Sequence, residues 1–394
     1  MLRVLTLSTL FPDATRPTFG PFVERQTLGL AAYPGVELQV VVPVGIPPFG
    51  QFHPRYRALA SLPRAENWKG LTVNRPRFTH IPGRAGWDAG ALVRALRPLL
   101  RDLRASFPFD VIDAQFFWPD GPAAVALGQE FGVPVSIKAR GADIHFWGNN
   151  PATSAQVVAA GRSADGMLAV SAAIKDDMIA LGMHEDRITV HYTGIDKDVF
   201  TVRNRAAAKA GLGITGPLVV SVGALIARKG QRYLIDALPL LPDATLVLIG
   251  KGEDEAALKA RAQSLGIADR VRFTGPLPQA TIADWLAAAD IMALPTASEG
   301  LANAWVEALA SGTPVVTCDV GGARELLDRP EAGRLVARDG AQIAAAIQEL
   351  LAAPPDRRAV AATVDRFSWE ANTAGLYAHL RHLADHVALR RGSS

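Results

Sequence analysis

Short apolar runs recur along the chain, separated by longer stretches whose apolar residues return at the three- and four-residue spacing of a helix. In the first half Leu2–Leu7, 36–42, 110–114, 133–138 and 167–170 read as strands. In the second half Leu218–Val222, 245–250, 271–273, Ile291–Leu294 and Val315–Thr317 do the same. Helical segments lie between them, such as 23–32 and the Ala-rich run that closes at Leu309-Ala310-Ser311-Gly312. Strands alternating with helices predict parallel sheets joined by right-handed crossovers. Two such series, divided near 196–216, predict an α/β chain of two doubly wound, Rossmann-like domains facing across a cleft. A last amphipathic segment, 367–391, predicts a closing helix.

Composition narrows the class. The chain has 394 residues, 49% of them apolar and 20% charged, enough for two domains of roughly 150 residues or more, each with its own core. Cys318 is the only cysteine, which excludes a disulfide framework or a metal–thiolate cluster and fits the cytoplasm. No apolar run reaches the ~18 residues of a spanning helix. Residues 1–7 lack a small-residue cleavage site and run directly toward Pro and Asp, so they read as a strand, not a signal peptide. The net charge is only +3, but between Gly45 and Arg104 eleven Lys/Arg stand against Glu66, Asp88 and Asp102. Phe49, Phe52, Tyr56, Trp68, Phe78 and Trp87 are interleaved with them. Such a segment suits an anionic membrane face or a phosphate-bearing partner, or it is a solvated face of helix and loop. No nucleic-acid motif accompanies it, so nucleic acid is not an expected partner.

Four places can carry chemistry. The stretch Ser298-Glu299-Gly300-Leu301-Ala302-Asn303-Ala304-Trp305-Val306-Glu307 sets two carboxylates around a glycine-led turn, between a strand and a helix. Open α/β sheets present backbone N–H groups to phosphate in this way. Glu299 is expected in the turn and Glu307 about two turns into the helix, with the amides of Gly300, Leu301 and Ala302 facing ligand. The plain alternative is a loop acid and one polar residue on an exposed helix face. Gly223 ends the Leu218–Val222 strand and Arg228-Lys229-Gly230 follow. Paired cations at a helix mouth clamp a diphosphate and neutralise a leaving group, or form a solvated turn. Arg140 and Asp143 follow the 133–138 strand and either bind a polar substrate or pair with each other. Gly20 lies in the Pro/Gly-rich loop after the first strand, where backbone can approach a partner across a cleft.

Other patterns fall away. Asp196-Lys197-Asp198 has metal-motif spacing but no neighbouring ligands, and reads as a turn, so no metal is expected. Gly250-Lys251-Gly252 fails as a dinucleotide fingerprint because Glu255 takes the third glycine position. No Gly-x-Ser-x-Gly elbow is present.

Taken in order, the motifs resemble glycosyltransferase family 4, retaining nucleotide-sugar transferases with the GT-B fold, over nearly the whole chain. The resemblance rests on Pro17…Gly20…Phe22, Val170-Ser171, Thr193-Gly194-Ile195-Asp196…Phe200 and Val222-Gly223…Arg228-Lys229-Gly230. It continues through Leu248-Ile249-Gly250-Lys251-Gly252 and Arg272-Phe273-Thr274-Gly275. Leu294-Pro295-Thr296-Ala297-Ser298-Glu299-Gly300 and Glu307-Ala308…Gly312-Thr313-Pro314-Val315-Val316 complete it. Within the family the N-terminal loop and Arg140-Gly141-Ala142-Asp143 look most like bacterial enzymes that build cell-surface polysaccharides.

The resemblance implies an acceptor-side domain over 1–198, a donor domain over 199–369, and a helix at 370–394 packing back on the first. It implies that Arg228 and Lys229 hold the donor diphosphate, that Glu299 contacts the transferred sugar, and that Glu307 takes the ribose hydroxyls. Gly223 and the amides at 300–302 complete that site, backbone near Leu277 meets the base, and Gly20 approaches from the other domain. Arg140 and Asp143 become candidates on the acceptor and sugar side. Arg140 stands where many relatives carry His, and Thr193 where Asn is usual. The expected donor is a UDP-sugar, with a GDP-sugar next, and no cofactor. The expected acceptor is a glycan or a lipid-diphosphate-linked hydroxyl, with the enzyme cytoplasmic and peripheral on the inner membrane face. A sugar-nucleotide epimerase or a non-catalytic nucleotide-sugar binder are the alternatives.

Overall fold

A computed structural model describes residues 1–392. The chain divides into two compact units, Ile195–Ser368 and the remainder, comprising Met1–Gly194 and the chain from Trp369 onward.

The first unit is built on an eight-stranded sheet of order β10-β9-β8-β7-β1-β2-β5-β4. Its strands are β1 (Leu2–Leu7), β2 (Val36–Val41), β4 (Ala65–Trp68), β5 (Leu71–Asn74) and β7 (Val111–Ala114). They are joined by β8 (Val135–Ala139), β9 (Gly166–Ala169) and β10 (Ile188–Val190). All neighbours pair in parallel except β4, which runs antiparallel to β5. The expected 133–138 strand starts only at Val135, because Val133 N–H instead closes the preceding helix on Gly128 O at 2.9 Å. Pro43 and Pro76 interrupt the ladder just beyond β2 and β5, since proline has no N–H to give it. Past them the two chains pair again in parallel as β3 (Val44–Ile46) and β6 (Arg77–Thr79). The carboxyl ends of β3 and β6 therefore reach beyond the edge of the main sheet.

The second unit carries a wholly parallel six-stranded sheet of order β13-β12-β11-β14-β15-β16. Its strands are β11 (Leu218–Val222), β12 (Thr245–Ile249), β13 (Val271–Gly275), β14 (Ile291–Leu294), β15 (Val315–Thr317) and β16 (Gly333–Leu335). The order reverses at β1 in one sheet and at β11 in the other. In doubly wound sheets the crevice outside the carboxyl ends at such a reversal is where ligands bind. Helices cover both faces, so β11, β12 and β14 are almost continuously apolar and buried.

The final helix, Trp369–Gly392, packs on the first unit. Leu376 and Leu380 are fully buried against Leu2, Val4, Leu30, Val111 and Leu168. The Tyr377 ring stacks on Tyr33 at 4.5 Å. Residues 393 and 394 of the expected 370–394 segment lie outside the described residues. Among the described residues no helix is long and apolar enough to cross a membrane.

Candidate active site

In the second unit the expected residues gather beyond the carboxyl ends of β11 and β14. After β11 the chain turns at Gly223 and reaches Ala227–Lys229, a single tight turn. Gly223 lies beside the aliphatic stem of Lys229. The Lys229 ammonium pairs with the Glu299 carboxylate in a short contact, both side chains being largely buried. Arg228 stands 3.5 Å from the same carboxylate and donates to Ser298 O at 2.5 Å. Thr296 Oγ1 donates to Glu299 at 3.2 Å. One acid thus gathers two cations and a hydroxyl, which fixes the charge at the end of the switch strand.

The turn after Glu299 is held from behind. Gly322 N–H donates to Gly300 O at 2.8 Å. Gly321 has φ +50°, and a Cβ there would overlap the Glu299 carbonyl oxygen, so only glycine fits without moving the turn. The helix Asn303–Ala310 then begins at Ala302 with no side chain capping it, leaving donors at its mouth for another acceptor. Because Gly300–Ala302 stay outside the helix, Glu307 lies about one turn in, not two. Glu307 keeps some accessible surface but is densely surrounded, and burial pushes its carboxyl up to about 7 against a hydrogen bond from Gln279. Gln279 opens the Gln279–Ala288 helix, two residues after the half-buried Leu277, with Pro278 between them. Leu277 and Glu307 are therefore tied to one corner of the unit through Gln279.

In the first unit Gly20 caps the helix Pro21–Ala31 at φ +72°. A Cβ there would stand 2.8 Å from Leu10 O, so the loop after β1 folds tightly on itself. Arg140 and Asp143 follow β8 and have separate tasks. The Asp143 carboxylate is fully buried and accepts from the amides of Arg140 (2.9 Å), Gly141 (2.8 Å) and Phe117 (3.2 Å). It shapes the loop and offers no surface to a substrate. The Arg140 guanidinium donates to Gln115 O at 2.8 Å and Gln115 Oε1 at 2.6 Å, over the Phe22 ring at 4.8 Å. Gln115 in turn donates to Asp113 at 2.5 Å, and Asp113, wholly buried, has its carboxyl raised to about 6 by desolvation. Gln26 joins Gln115 to buried Lys138 at 2.7 and 2.8 Å, and Lys138 donates to His191 Nδ1 at 2.6 Å. Desolvation holds the Lys138 ammonium well below its ordinary range.

Comparison with known proteins assigns these two sheets. A family model described as Glycosyltransferase Family 4 matches residues 28–199, and one described as Glycosyl transferases group 1 matches 216–353. The D-inositol 3-phosphate glycosyltransferase of Frankia alni is 31% identical over 71% of this chain and 76% of its own length. The chain belongs to glycosyltransferase family 4. The putative teichuronic acid biosynthesis glycosyltransferase TuaC of Bacillus subtilis is 27% identical over 94% of this chain and 90% of its own. HepE of Anabaena, solved in complex with UDP, superposes with a TM-score of 0.74 at 20% identity over 97% of this chain and all of its own, showing the shared GT-B fold. This glycosyltransferase is accordingly an enzyme of the EC 2.4 class.

Some residues of this glycosyltransferase's site escape a reading of the sequence. Arg338 donates to Ala227 O at 2.8 Å and Pro295 O at 3.1 Å, tying the Arg228-Lys229 turn to the end of β14. No local pattern marks it, since it arrives from after β16. Gly321-Gly322, by contrast, is a legible doublet in a strand-to-helix turn. The basic run 45–104 proves not to be one surface. Arg75 is buried on Glu66 (2.5 Å) and Pro12 O (2.9 Å), Arg97 and Arg101 share Glu130, and Lys69 pairs with Glu24 at 2.9 Å.

Proposed function

We propose that this glycosyltransferase moves a sugar from a nucleoside diphosphate to a hydroxyl and retains the anomeric configuration. The observation that carries the reading is the convergence of Arg228, Lys229 and Glu299 beside an uncapped helix mouth at the switch strand. Diphosphate oxygens displace Glu299 as the partner of the two cations, freeing that carboxylate to accept from sugar hydroxyls. Glu307 accepts from the ribose hydroxyls, and backbone near Leu277 meets the base. As the glycosidic bond breaks, negative charge grows on the departing phosphate, and Arg228, Lys229 and the helix mouth stabilise it. The acceptor proton passes to a departing phosphate oxygen, so atoms and charge balance with no metal invoked.

The donor is a UDP-sugar, with a GDP-sugar as second choice. The UDP complex of HepE supports the nucleotide class, and TuaC's name supports an acceptor in surface polysaccharide synthesis. The acceptor is a glycan or a lipid-diphosphate-linked hydroxyl, met at the cytoplasmic membrane face, with Arg140 on the sugar side. A thermal-shift panel of UDP-, GDP- and ADP-sugars tests the donor, and proton NMR of the first-formed product reads its anomeric coupling. One nucleotide class should raise the melting temperature, and the product should keep the donor's configuration. No shift with any nucleotide sugar, or an inverted product, overturns the proposal.

A further inference from the structure

Among the described residues the exposed Phe and Trp side chains are Phe49, Phe52, Trp87 and Phe146, at 77, 74, 59 and 58% accessible. All four lie beyond carboxyl ends of parallel strands in the first unit. Phe49 and Phe52 follow β3, Trp87 follows β6, and Phe146 follows β8. The loops are tied into one edge. His80 N–H donates to Ile46 O at 3.1 Å, joining the ends of β3 and β6. Gln156 donates to Gly86 O at 2.9 Å, joining the Trp87 loop to the helix after Phe146.

The charge in the loops around Phe49, Phe52 and Trp87 has one sign. Arg55, Arg64 and Arg84 are exposed there, and Arg84 lies 5.2 Å from the Trp87 ring centre. Arg64 belongs to the same edge because β4 is antiparallel and begins where β5 ends. Residues 45–64 and 80–87 contain no Asp or Glu. Asp88, which follows Trp87, is buried and paired with His80 at 3.0 Å, and beside Phe146 the half-exposed Asp177 is paired with His145 at 2.8 Å. Exposed rings among uncompensated cations match the two requirements of an anionic lipid surface, apolar insertion and attraction to headgroups.

We propose that this edge docks the enzyme on an anionic membrane, Phe49, Phe52, Trp87 and Phe146 entering the headgroup layer and Arg55, Arg64 and Arg84 meeting lipid phosphates. The proposal deepens the membrane-side acceptor reading given above and names the surface that delivers it. A glycan platform is the weaker fit, because Phe49 and Phe52 bring no hydrogen-bonding group to a sugar.

The test is sedimentation of the full chain with vesicles of phosphatidylcholine alone and of phosphatidylcholine with phosphatidylglycerol in equal parts. The chain should pellet with the mixed vesicles, remain in solution with the neutral ones, and be released by salt. Phe49→Ser/Phe52→Ser/Trp87→Ser should weaken binding by roughly tenfold or more, and Arg84→Gln by about fivefold. Wild-type protein that ignores anionic vesicles, or a triple variant that binds as wild type, overturns the proposal. So does a triple variant that keeps vesicle binding but loses transfer to a soluble glycan. The melting shift with nucleotide sugar, measured on the same variants, reports the donor site separately and should be unchanged.

Discussion

A carboxyl raised to about 7 makes Glu307 a residue whose contribution depends on pH. The folded state holds its proton more tightly than the unfolded chain, whose Glu titrates near 4.5. Stability present below about 4.5 is therefore lost as pH rises through about 7. Glu307→Gln should flatten the pH dependence of the melting temperature across that interval, leaving the variant the more stable at alkaline pH. Donor affinity should run the opposite way, tightening as pH rises through about 7, if, as proposed, the ionised Glu307 carboxylate accepts the ribose hydroxyls. Calorimetric titration with the donor should show that slope in wild type and lose it in the Gln variant. Lys229 offers a second test. Its ammonium is the close partner of Glu299, and removing one preorganised charge contact typically costs ~3–4 kcal/mol in the transition state. Lys229→Ala should lower kcat/KM by two to three orders of magnitude at that cost, mainly through kcat. A variant with normal donor hydrolysis and transfer rates would remove the residue's proposed role.

At the scale of elements, the Glu299 turn depends on a neighbour it meets only in three dimensions. Gly321→Ala places a methyl against the Glu299 carbonyl and forces an L-residue to φ +50°, a conformation that alone costs roughly 1–2 kcal/mol. Turnover should fall because the Glu299 turn is displaced, and the melting temperature should fall with it. Strand interiors such as Leu218–Val222 and Ile291–Leu294 are legible in the sequence because burial on both faces demands continuous apolar runs. The cations and acids after β11 and β14 are legible for a related reason, since a doubly wound sheet exposes its strand ends at the switch point. Helix starts are less legible, and Glu307 stands a turn nearer the helix mouth than its spacing from Gly300 suggests. Contacts between distant segments leave no local pattern, which hides Arg338 and the Gln26–Gln115–Lys138 chain. Charge counting also misleads: Arg75 and Arg97 contribute to a basic segment, but Arg75 is paired with Glu66 in the interior and Arg97 with Glu130 at the surface.

For the molecule as a whole, the last helix is structural to the first unit. Leu380 is fully buried against residues of β1, β7 and β9, and truncating such a side chain typically costs about 2–5 kcal/mol. Leu380→Ala should lower the urea-unfolding free energy of the first unit by that amount, while the nucleotide-sugar affinity proposed for the second unit is unchanged. Ile195 forms a bridge with Ser368, so the second unit's two ends are neighbours and the unit sits as an insertion within the first. This order has a consequence during synthesis. The residues that complete the second unit leave the ribosome before those that complete the first. Leu2, Val4 and Leu30 must wait, with part of their apolar surface uncovered, until Leu376 and Leu380 emerge. The N-terminal sheet is thus begun first and sealed last, and the nascent chain is most exposed to aggregation while its second half is already folded.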